Sequence, residues 1–304
     1  MKRKRSSTTY GMSTMPLHLM LLPVVLVLFV YNYIPMAGLV IAFQKFNIAL
    51  GISAFWKSRW VGFDNFRIIF NDSDFRRALI NTLTIAIGKM ITMYIVPIVI
   101  ALLLNEILIQ RLKKGIQTLI YMPHFLSWVI MSGIIKDILG TNGLINTMFF
   151  ADAPRYFLGD PALFQPMLII TNLWKEFGYS TIIYLAAITA VDPSLYEAAI
   201  VDGANRMRQT WHVTLPGMMP IIVLTAVLSL RGILSAGFDQ VFNLYSVPVY
   251  SKGDVIDTLV YRRSMTSGQY DIGTAIGLFN SSVAFILIIT TNKLAKRFAG
   301  YQVF

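Results

Sequence analysis

The fold class is decided by residues 78–104, which read ALINTLTIAIGKMITMYIVPIVIALLL. The stretch contains a single charged residue, Lys89, and exceeds the ~20 apolar residues that a helix needs to cross a ~30 Å hydrocarbon layer. Its apolar residues follow one another without alternation, which indicates a membrane-spanning helix and excludes a barrel strand. The stretch therefore predicts an all-α membrane protein.

Further apolar stretches lie on both sides of this one, and the chain is expected to cross the membrane about six times. They cover residues 17–42, 116–138, 163–189, 218–238 and 272–292. The first follows the basic residues 2–5, as a secretory signal would, but it is too long and lacks a small-x-small cleavage site. We interpret it as an uncleaved membrane helix in a polytopic protein.

Composition agrees with this interpretation and excludes several kinds of site. The 304 residues are 56% hydrophobic and only 13% charged, with a net charge of +11. The basic residues form short clusters between apolar stretches, which favours the cytoplasmic ends of membrane helices over a nucleic-acid-binding domain. There is no cysteine, and His18, His124 and His212 lack ligand-like spacing, so we expect no metal site and no cofactor.

The basic clusters also predict the orientation and division of the chain in the cell membrane. Residues 1–16 are expected to form a cytoplasmic tail, residues 17–77 the first helix and an extracellular segment with short amphipathic helices, residues 78–292 the transmembrane core, and residues 293–304 a second cytoplasmic tail. Both termini are thus placed in the cytoplasm.

One polar segment, residues 192–216, interrupts the apolar pattern between the fourth and fifth predicted spans. Asp192 suits a helix N-cap and Pro193 suits the first helical position. Gly203 permits a sharp change of direction, and Pro216 is expected to start the fifth span. The small residues Ala198 and Ala199 leave room for another protein. This pattern predicts a helical hairpin that serves as a docking surface.

The same segment resembles the EAA loop of binding-protein-dependent ABC importers. Glu197-Ala-Ala199 is followed by three residues, Gly203, nine residues and then Val213-Thr-Leu-Pro216, with Val where the family prefers Ile. The resemblance extends over most of the chain. Residues 61–66 and 78–82 are similar to the segment that enters the second span of sugar permeases. Residues 237–245, 257–258 and 277–280 resemble a narrower group, the LplB-like and YteP-like permeases.

This resemblance implies the ABC type I importer permease fold with residues 192–216 as a cytoplasmic coupling hairpin. The implied partners are a second homologous permease, two cytoplasmic ATP-binding subunits, an extracellular solute-binding protein, membrane lipid and an oligosaccharide substrate, polysaccharide-derived and uronate-containing. The residues that the resemblance assigns to ATPase coupling are Glu197, Ala198, Ala199, Asp202, Gly203, Ala204, Leu215 and Pro216. The chain has no G-x-x-x-x-G-K-[ST] motif, so we expect a transport subunit and not an enzyme.

Polar residues inside predicted spans are candidates for the sugar pathway, because aromatic faces stack on sugar rings and amides bind hydroxyls. The candidates chosen are Asn172, Trp174, Tyr179, Arg231 and Asn280. The structural alternative is that Trp174 and Tyr179 belong to an interfacial aromatic belt. Further charged residues in or near the spans, which can also snorkel to the interface or pair with each other, are Lys89, Lys136, Asp137, Lys175, Glu176 and Asp239.

Other functions remain open at this point. A secondary transporter driven by an ion gradient would usually show an internal repeat, which is not evident here. A membrane-embedded enzyme would need a nucleophile with a base and an orienting residue, and no such spacing is present. An ABC permease for another solute is also compatible with the EAA loop.

Overall fold

The computed structural model describes the backbone of residues 9–299, with the side chains of residues 15–290 (Arg231 excepted), 292 and 293. The predicted basic cluster at residues 2–5 and the side chains of Lys296 and Arg297 lie outside the described residues. The α-helices are α1 Thr9–Leu28, α2 Ile34–Met36, α3 Ala54–Lys57, α4 Asp64–Asn71, α5 Ser73–Asn105, α6 Gln110–Tyr121, α7 Trp128–Leu139, α8 Leu144–Phe149, α9 Pro161–Thr189, α10 Pro193–Val201, α11 Arg206–Gln209, α12 Leu215–Ser229, α13 Phe238–Leu244, α14 Tyr250–Gly253, α15 Ile256–Tyr261 and α16 Tyr270–Ala299.

Tighter and wider helical turns join many of these helices. The 3₁₀ segments are Ala37–Phe43, Ile48–Ser53, Met122–Phe125, Phe157–Gly159, Leu230–Gly232 and Val247–Val249, and the π-helical turns are Phe29–Tyr33, Thr210–Thr214 and Arg262–Thr266. The strands β1 Gln44–Lys45 and β2 Arg59–Trp60 form a small antiparallel pair that the sequence did not predict. The short helices expected between the first two spans are present around it.

The predicted number of spans is confirmed for the part of the chain that the structure describes. Five helices are long and apolar enough to cross a membrane: Met15–Phe43, Ser73–Asn105, Trp128–Phe149, Arg206–Ser229 and Tyr270–Thr290. A sixth candidate is α9, which passes the same test together with α10 across a bend of 68°.

The third predicted span, residues 116–138, is wrong as a single helix. The α-helix ends at Tyr121 and gives way to the 3₁₀ turn Met122–Phe125, because Pro123 lacks a backbone donor. Ser127 then starts a new helix by accepting a hydrogen bond from Ile130 N at 3.3 Å. The fifth predicted span also ends earlier than expected. It stops at Leu230–Gly232, and Gly237, with a φ of 86°, turns the chain into α13.

Two long helices, α5 and α9, pack along each other and organise the core. Asp72 caps α5 by accepting a hydrogen bond from Asp74 N at 2.8 Å, and the 33 residues that follow span about 50 Å. One apolar cluster packs Phe75 in the first turns of α5 against residues near the end of the first span and the start of α16. Another cluster packs Ala101 against Ile188 at the opposite end of α5. The hairpin that follows α9 therefore lies at the opposite end from the segment that follows the first span.

Candidate functional site

The first limb of the hairpin, α10, starts as the sequence predicts. The Asp192 carboxylate accepts a hydrogen bond from Ser194 N at 2.9 Å, and Pro193 occupies the first helical position. The pKa of Asp192 is held below its usual range, mainly by the hydrogen bond from the Ser194 backbone N–H and secondly by one from the Ser194 side chain. The limb therefore begins at a defined residue.

The bend between the limbs is built around Gly203, whose φ of 77° is left-handed and suits glycine. Gly203 N donates to Ile200 O at 3.0 Å, and Ala204 N donates to Ala199 O at 2.8 Å, which closes the end of α10. Asn205 then caps the second limb by accepting a hydrogen bond from Arg208 N at 2.9 Å. The predicted change of direction at Gly203 is confirmed.

Three polar residues that the sequence analysis did not single out hold the two limbs together. The buried side chain of Gln209 donates from Nε2 to Ala204 O at 2.9 Å. The hydroxyls of Tyr196 and Thr214 lie 3.0 Å apart, so the middle of α10 is tied to the base of the second limb. Thr214 lies in the quoted motif Val213-Thr-Leu-Pro216, but that motif does not indicate its contact with Tyr196. No motif marks Tyr196 or Gln209.

The second limb runs directly into the membrane. Arg206–Ser229 is one helical span, so Pro216 does not start the fifth span as predicted but lies within it. The π-helical turn Thr210–Thr214 ends two residues before Pro216, and Leu215 N donates to Thr210 O across that wide turn. The wider hydrogen bonds of a π-turn replace the regular α-helical ones next to a proline that has no N–H to donate, so the helix continues past Pro216. Any force on the limb therefore acts directly on α12.

The tip of the hairpin presents an apolar surface together with its polar residues. Val201 is 87% exposed, and Ile200, Met207 and Trp211 are each more than 60% exposed. Among the predicted coupling residues, those that are exposed are Glu197, Ala198, Asp202, Gly203 and Pro216, and those that are half-buried are Ala199, Ala204 and Leu215. An exposed apolar patch with a polar rim is typical of a protein-binding surface.

A second polar group lies where the third predicted span is broken. The Glu176 carboxylate, on α9, lies 2.6 Å from His124 Nδ1 and 3.0 Å from Lys175 Nζ. Lys175 Nζ also donates to His124 O at 2.7 Å, so it satisfies a backbone group freed by the break. The His124 ring stacks on Tyr179 with centroids 3.9 Å apart and planes within 3°. The result is a neutralised carboxylate beside a flat aromatic surface.

The predicted pathway residues separate into different places. At 100° per residue, Asn172, Glu176 and Tyr179 share one face of α9, whereas Trp174 points away from that face. Asn280 lies on α16, and its Oδ1 is buried without a hydrogen-bond partner in the described part of the chain. The side chain of Arg231 lies outside the described residues.

The remaining charged candidates are explained by their positions. Lys136 and Asp137 are exposed in the last turns of α7, and Asp239 is exposed in the first turn of α13, beyond the end of α12. Lys89, in contrast, is buried near the middle of α5 and donates to Ala236 O and Gln240 Oε1. It therefore connects a membrane-spanning helix to the short helix α13.

The hairpin lies within a region that a known family shares. The family model described as "Binding-protein-dependent transport system inner membrane component" matches residues 93–238. The polygalacturonan/rhamnogalacturonan transport system permease protein YteP of Bacillus subtilis strain 168 is 43% identical over 285 residues, covering 93% of this chain and 88% of that protein. This chain belongs to the inner-membrane components of binding-protein-dependent transport systems.

Further comparisons support the same assignment for this permease. Protein LplB of Bacillus subtilis strain 168 is 41% identical, covering 93% of this chain and 89% of that protein. A bacterial alginate ABC transporter, solved with its alginate pentasaccharide-bound periplasmic protein, contains a chain with a TM-score of 0.88 and 35% identity that covers 98% of this permease and 100% of itself. A second structure of a transporter that imports alginate gives a TM-score of 0.86 with 37% identity. The predicted family, subgroup and fold are confirmed.

Proposed function

We propose that this ABC permease imports an oligosaccharide derived from an acidic polysaccharide, delivered by an extracellular solute-binding protein. YteP is named for polygalacturonan and rhamnogalacturonan, and the similar solved transporters import alginate, which is also acidic. Similarity at this level over nearly the whole chain supports a related solute. The proposed orientation places both termini in the cytoplasm, because the basic clusters are expected on that side of the membrane.

The observation that supports ATP-driven transport is the exposed hairpin at the end of α9, whose two limbs are held together. Its limbs are tied by the Tyr196–Thr214 contact, its tip exposes apolar side chains, and its second limb is continuous with α12. Such a hairpin suits docking to a separate ATP-hydrolysing subunit, since motion of the tip would move α12 as a rigid body. The proposed assembly contains this permease, a second homologous permease and two ATP-binding subunits.

Within this mechanism, Glu197 is proposed to pair with a basic residue of the ATPase, while Ala198 and Ala199 allow close approach. Glu197 and Ala198 are exposed on α10, just before the bend at Gly203. Removing one partner of a desolvated charge pair between proteins costs roughly 2–5 kcal/mol, largely because the other charge is left buried without a partner. That magnitude is large enough for a single substitution to uncouple ATP hydrolysis from transport.

The sugar pathway is proposed to follow the face of α9 that carries Asn172, Glu176 and Tyr179. Non-helical backbone at membrane depth is tolerated only where protein or a water-filled cavity covers it, and the break beside His124 adjoins this face. The Glu176 carboxylate is partly exposed in the middle of a span, and a charged group there is costly in contact with lipid, so this face is expected to line the pathway. Asn280, whose Oδ1 has no hydrogen-bond partner among the described residues, and Arg231 are proposed as further contacts.

Reconstitution with the neighbouring subunits tests the coupling role. Glu197→Ala should leave the assembly intact in the membrane and lower sugar uptake at least tenfold, with ATP hydrolysis no longer stimulated by the loaded binding protein. Glu106→Ala is the matched control, because Glu106 is an exposed carboxylate at the end of α5, on the same side of the membrane as the hairpin. Normal uptake by Glu197→Ala, or equal losses in both variants, would contradict the proposal.

The solute is tested with two probes of similar size. A binding protein loaded with a galacturonate oligosaccharide should stimulate uptake and ATP hydrolysis, whereas the same length of neutral glucose oligosaccharide should not. Stimulation by the neutral sugar alone would overturn the acidic substrate class while leaving the permease assignment unaffected.

A further inference from the structure

Three cations just beyond the end of the first span have no ion-pair partner in the part of the chain that the structure describes. In the pairing of β1 with β2, Lys45 stands directly opposite Arg59, and both side chains are exposed. Like charges in this position destabilise a strand pair. Within the described residues, neither of them nor the nearby exposed Lys57 forms an ion pair, although other charges on this side do. The arrangement is suited to binding an anion.

An apolar groove adjoins these cations. It lies between the end of the first span and the short apolar helix Ile48–Lys57, has a volume of about 510 Å³, and is lined by Ile34, Gly38, Val40, Ile52, Phe55 and Trp56. This volume is within the ~300–1,000 Å³ typical of ligand sites. A Cβ placed on Gly38 would meet no atom within 4 Å, so the groove is open at that point.

The groove and the cations are stacked along the expected membrane normal. Gly38 precedes Phe43, the last residue of the span, by about 10 Å at the 3₁₀ rise of ~2.0 Å per residue. The groove is therefore at the depth of acyl chains, and the strand pair that follows Phe43 is at the depth of headgroups. The helix Ile48–Lys57 is too short to cross and suits the interface, where its exposed Trp56 would enter the lipid.

We propose that this groove binds one anionic phospholipid from the leaflet on the side opposite the coupling hairpin. An acyl chain occupies the apolar groove beside Gly38, and the phosphate and any further headgroup charge contact Lys45, Lys57 and Arg59. A zwitterionic lipid fills the same groove but leaves the three cations without net compensation. Charge complementarity therefore favours an anionic lipid over a neutral one.

The site is held in place by hydrogen bonds before any lipid binds. Gln44 Nε2 donates to Phe55 O at 3.0 Å, which ties the first strand to the short helix. The buried Asn65 side chain donates to Ala42 O and Gln44 O, each at 2.9 Å, and fixes the strand to the end of the span. A preorganised site loses little conformational entropy on binding, which supports retention of a lipid through purification.

The test uses quenching of tryptophan fluorescence in the complete transporter, reconstituted in vesicles of phosphatidylcholine. Brominated phosphatidylglycerol is added in one series and brominated phosphatidylcholine in the other. The signal from the groove is the part of the quenching that the Trp56→Phe variant removes. Each cation near an anionic surface adds a factor of about five to the affinity, so we expect at least a tenfold preference for phosphatidylglycerol.

Two variants identify the parts of the site. Lys45→Gln with Lys57→Gln and Arg59→Gln should reduce quenching by phosphatidylglycerol to the level of phosphatidylcholine. Gly38→Leu should lower quenching by both lipids, since the side chain fills open space without an internal clash. Arg111→Gln with Lys114→Gln, which removes exposed charges near the opposite end of the molecule, is the control and should change neither.

Two results would overturn the proposal, and both are read from the difference between the unaltered transporter and its Trp56→Phe variant. Equal Trp56 quenching by the two brominated lipids would show that the cations select no anionic headgroup. Absence of quenching by either lipid would show that protein, such as the second permease, covers the groove. Loss of the second permease from the purified Gly38→Leu assembly would identify that protein as the occupant.

Discussion

Replacing Lys89 with methionine should destabilise the junction between α5 and α13. Lys89 is 9% exposed and donates to Ala236 O and Gln240 Oε1, which are themselves buried. Methionine fills a similar volume but supplies no donor, so both acceptors lose their partner. Each orphaned buried acceptor costs about 1–3 kcal/mol, and removing a buried ammonium offsets part of this. We expect a net loss of about 2–4 kcal/mol.

The loss should be concentrated at α13, because Gln240 also anchors that helix to α9. Its Nε2 donates to Leu168 O and Thr171 Oγ1, both at 2.8 Å. The chain contains no cysteine, so a single Ser246→Cys substitution, at a position just after α13 where Oγ is buried, reports the opening of α13 without interference. Lys89→Met should raise the thiol-labelling rate and lower the thermal midpoint of the purified protein.

A double-mutant cycle separates this hydrogen-bond network from general packing. Gln240→Met combined with Lys89→Met removes one of the acceptors that the single variant leaves orphaned, so the combined loss should be smaller than the sum by about 0.5–3 kcal/mol. The reasoning is refuted if Lys89→Met costs less than about 0.5 kcal/mol with unchanged labelling. Strict additivity of the two substitutions would also refute it.

Two further predictions concern backbone contacts. Gly178→Ala should cost about 1–3 kcal/mol in thermal unfolding, because the new Cβ would lie 2.0 Å from the backbone oxygen of Ile120, while the control Gly277→Ala has no atom within 4 Å and should be close to neutral. Asp192→Ala should speed hydrogen exchange at Ser194 N, whereas Asp192→Asn, which keeps the cap, should not. Because the pKa of Asp192 is lowered, its stabilising effect is complete above the usual value of 3.8 and should be lost as pH falls through the lower folded value.

The shape of the helical hairpin at residues 192–216 was predictable from local sequence because it depends on neighbours along the chain. The cap at Asp192 and the bend at Gly203 act over two or three residues, and their chemistry depends on residue type alone. The cap at Asn205 is equally local, although the sequence analysis did not predict it. The contacts that make the hairpin rigid could not be predicted, since Tyr196 meets Thr214 across 18 positions.

The sequence by itself determined the membrane environment, the number of spans and the family, because hydrophobic length and short motifs are properties of consecutive residues. Only the tertiary structure decided where spans break and which polar residues meet. Hydropathy does not register a proline-led break such as that at Pro123, since the residues on both sides remain apolar. The contacts of Lys89 with Gln240 and of His124 with Glu176 likewise join helices distant in the chain, and their partners are set by packing.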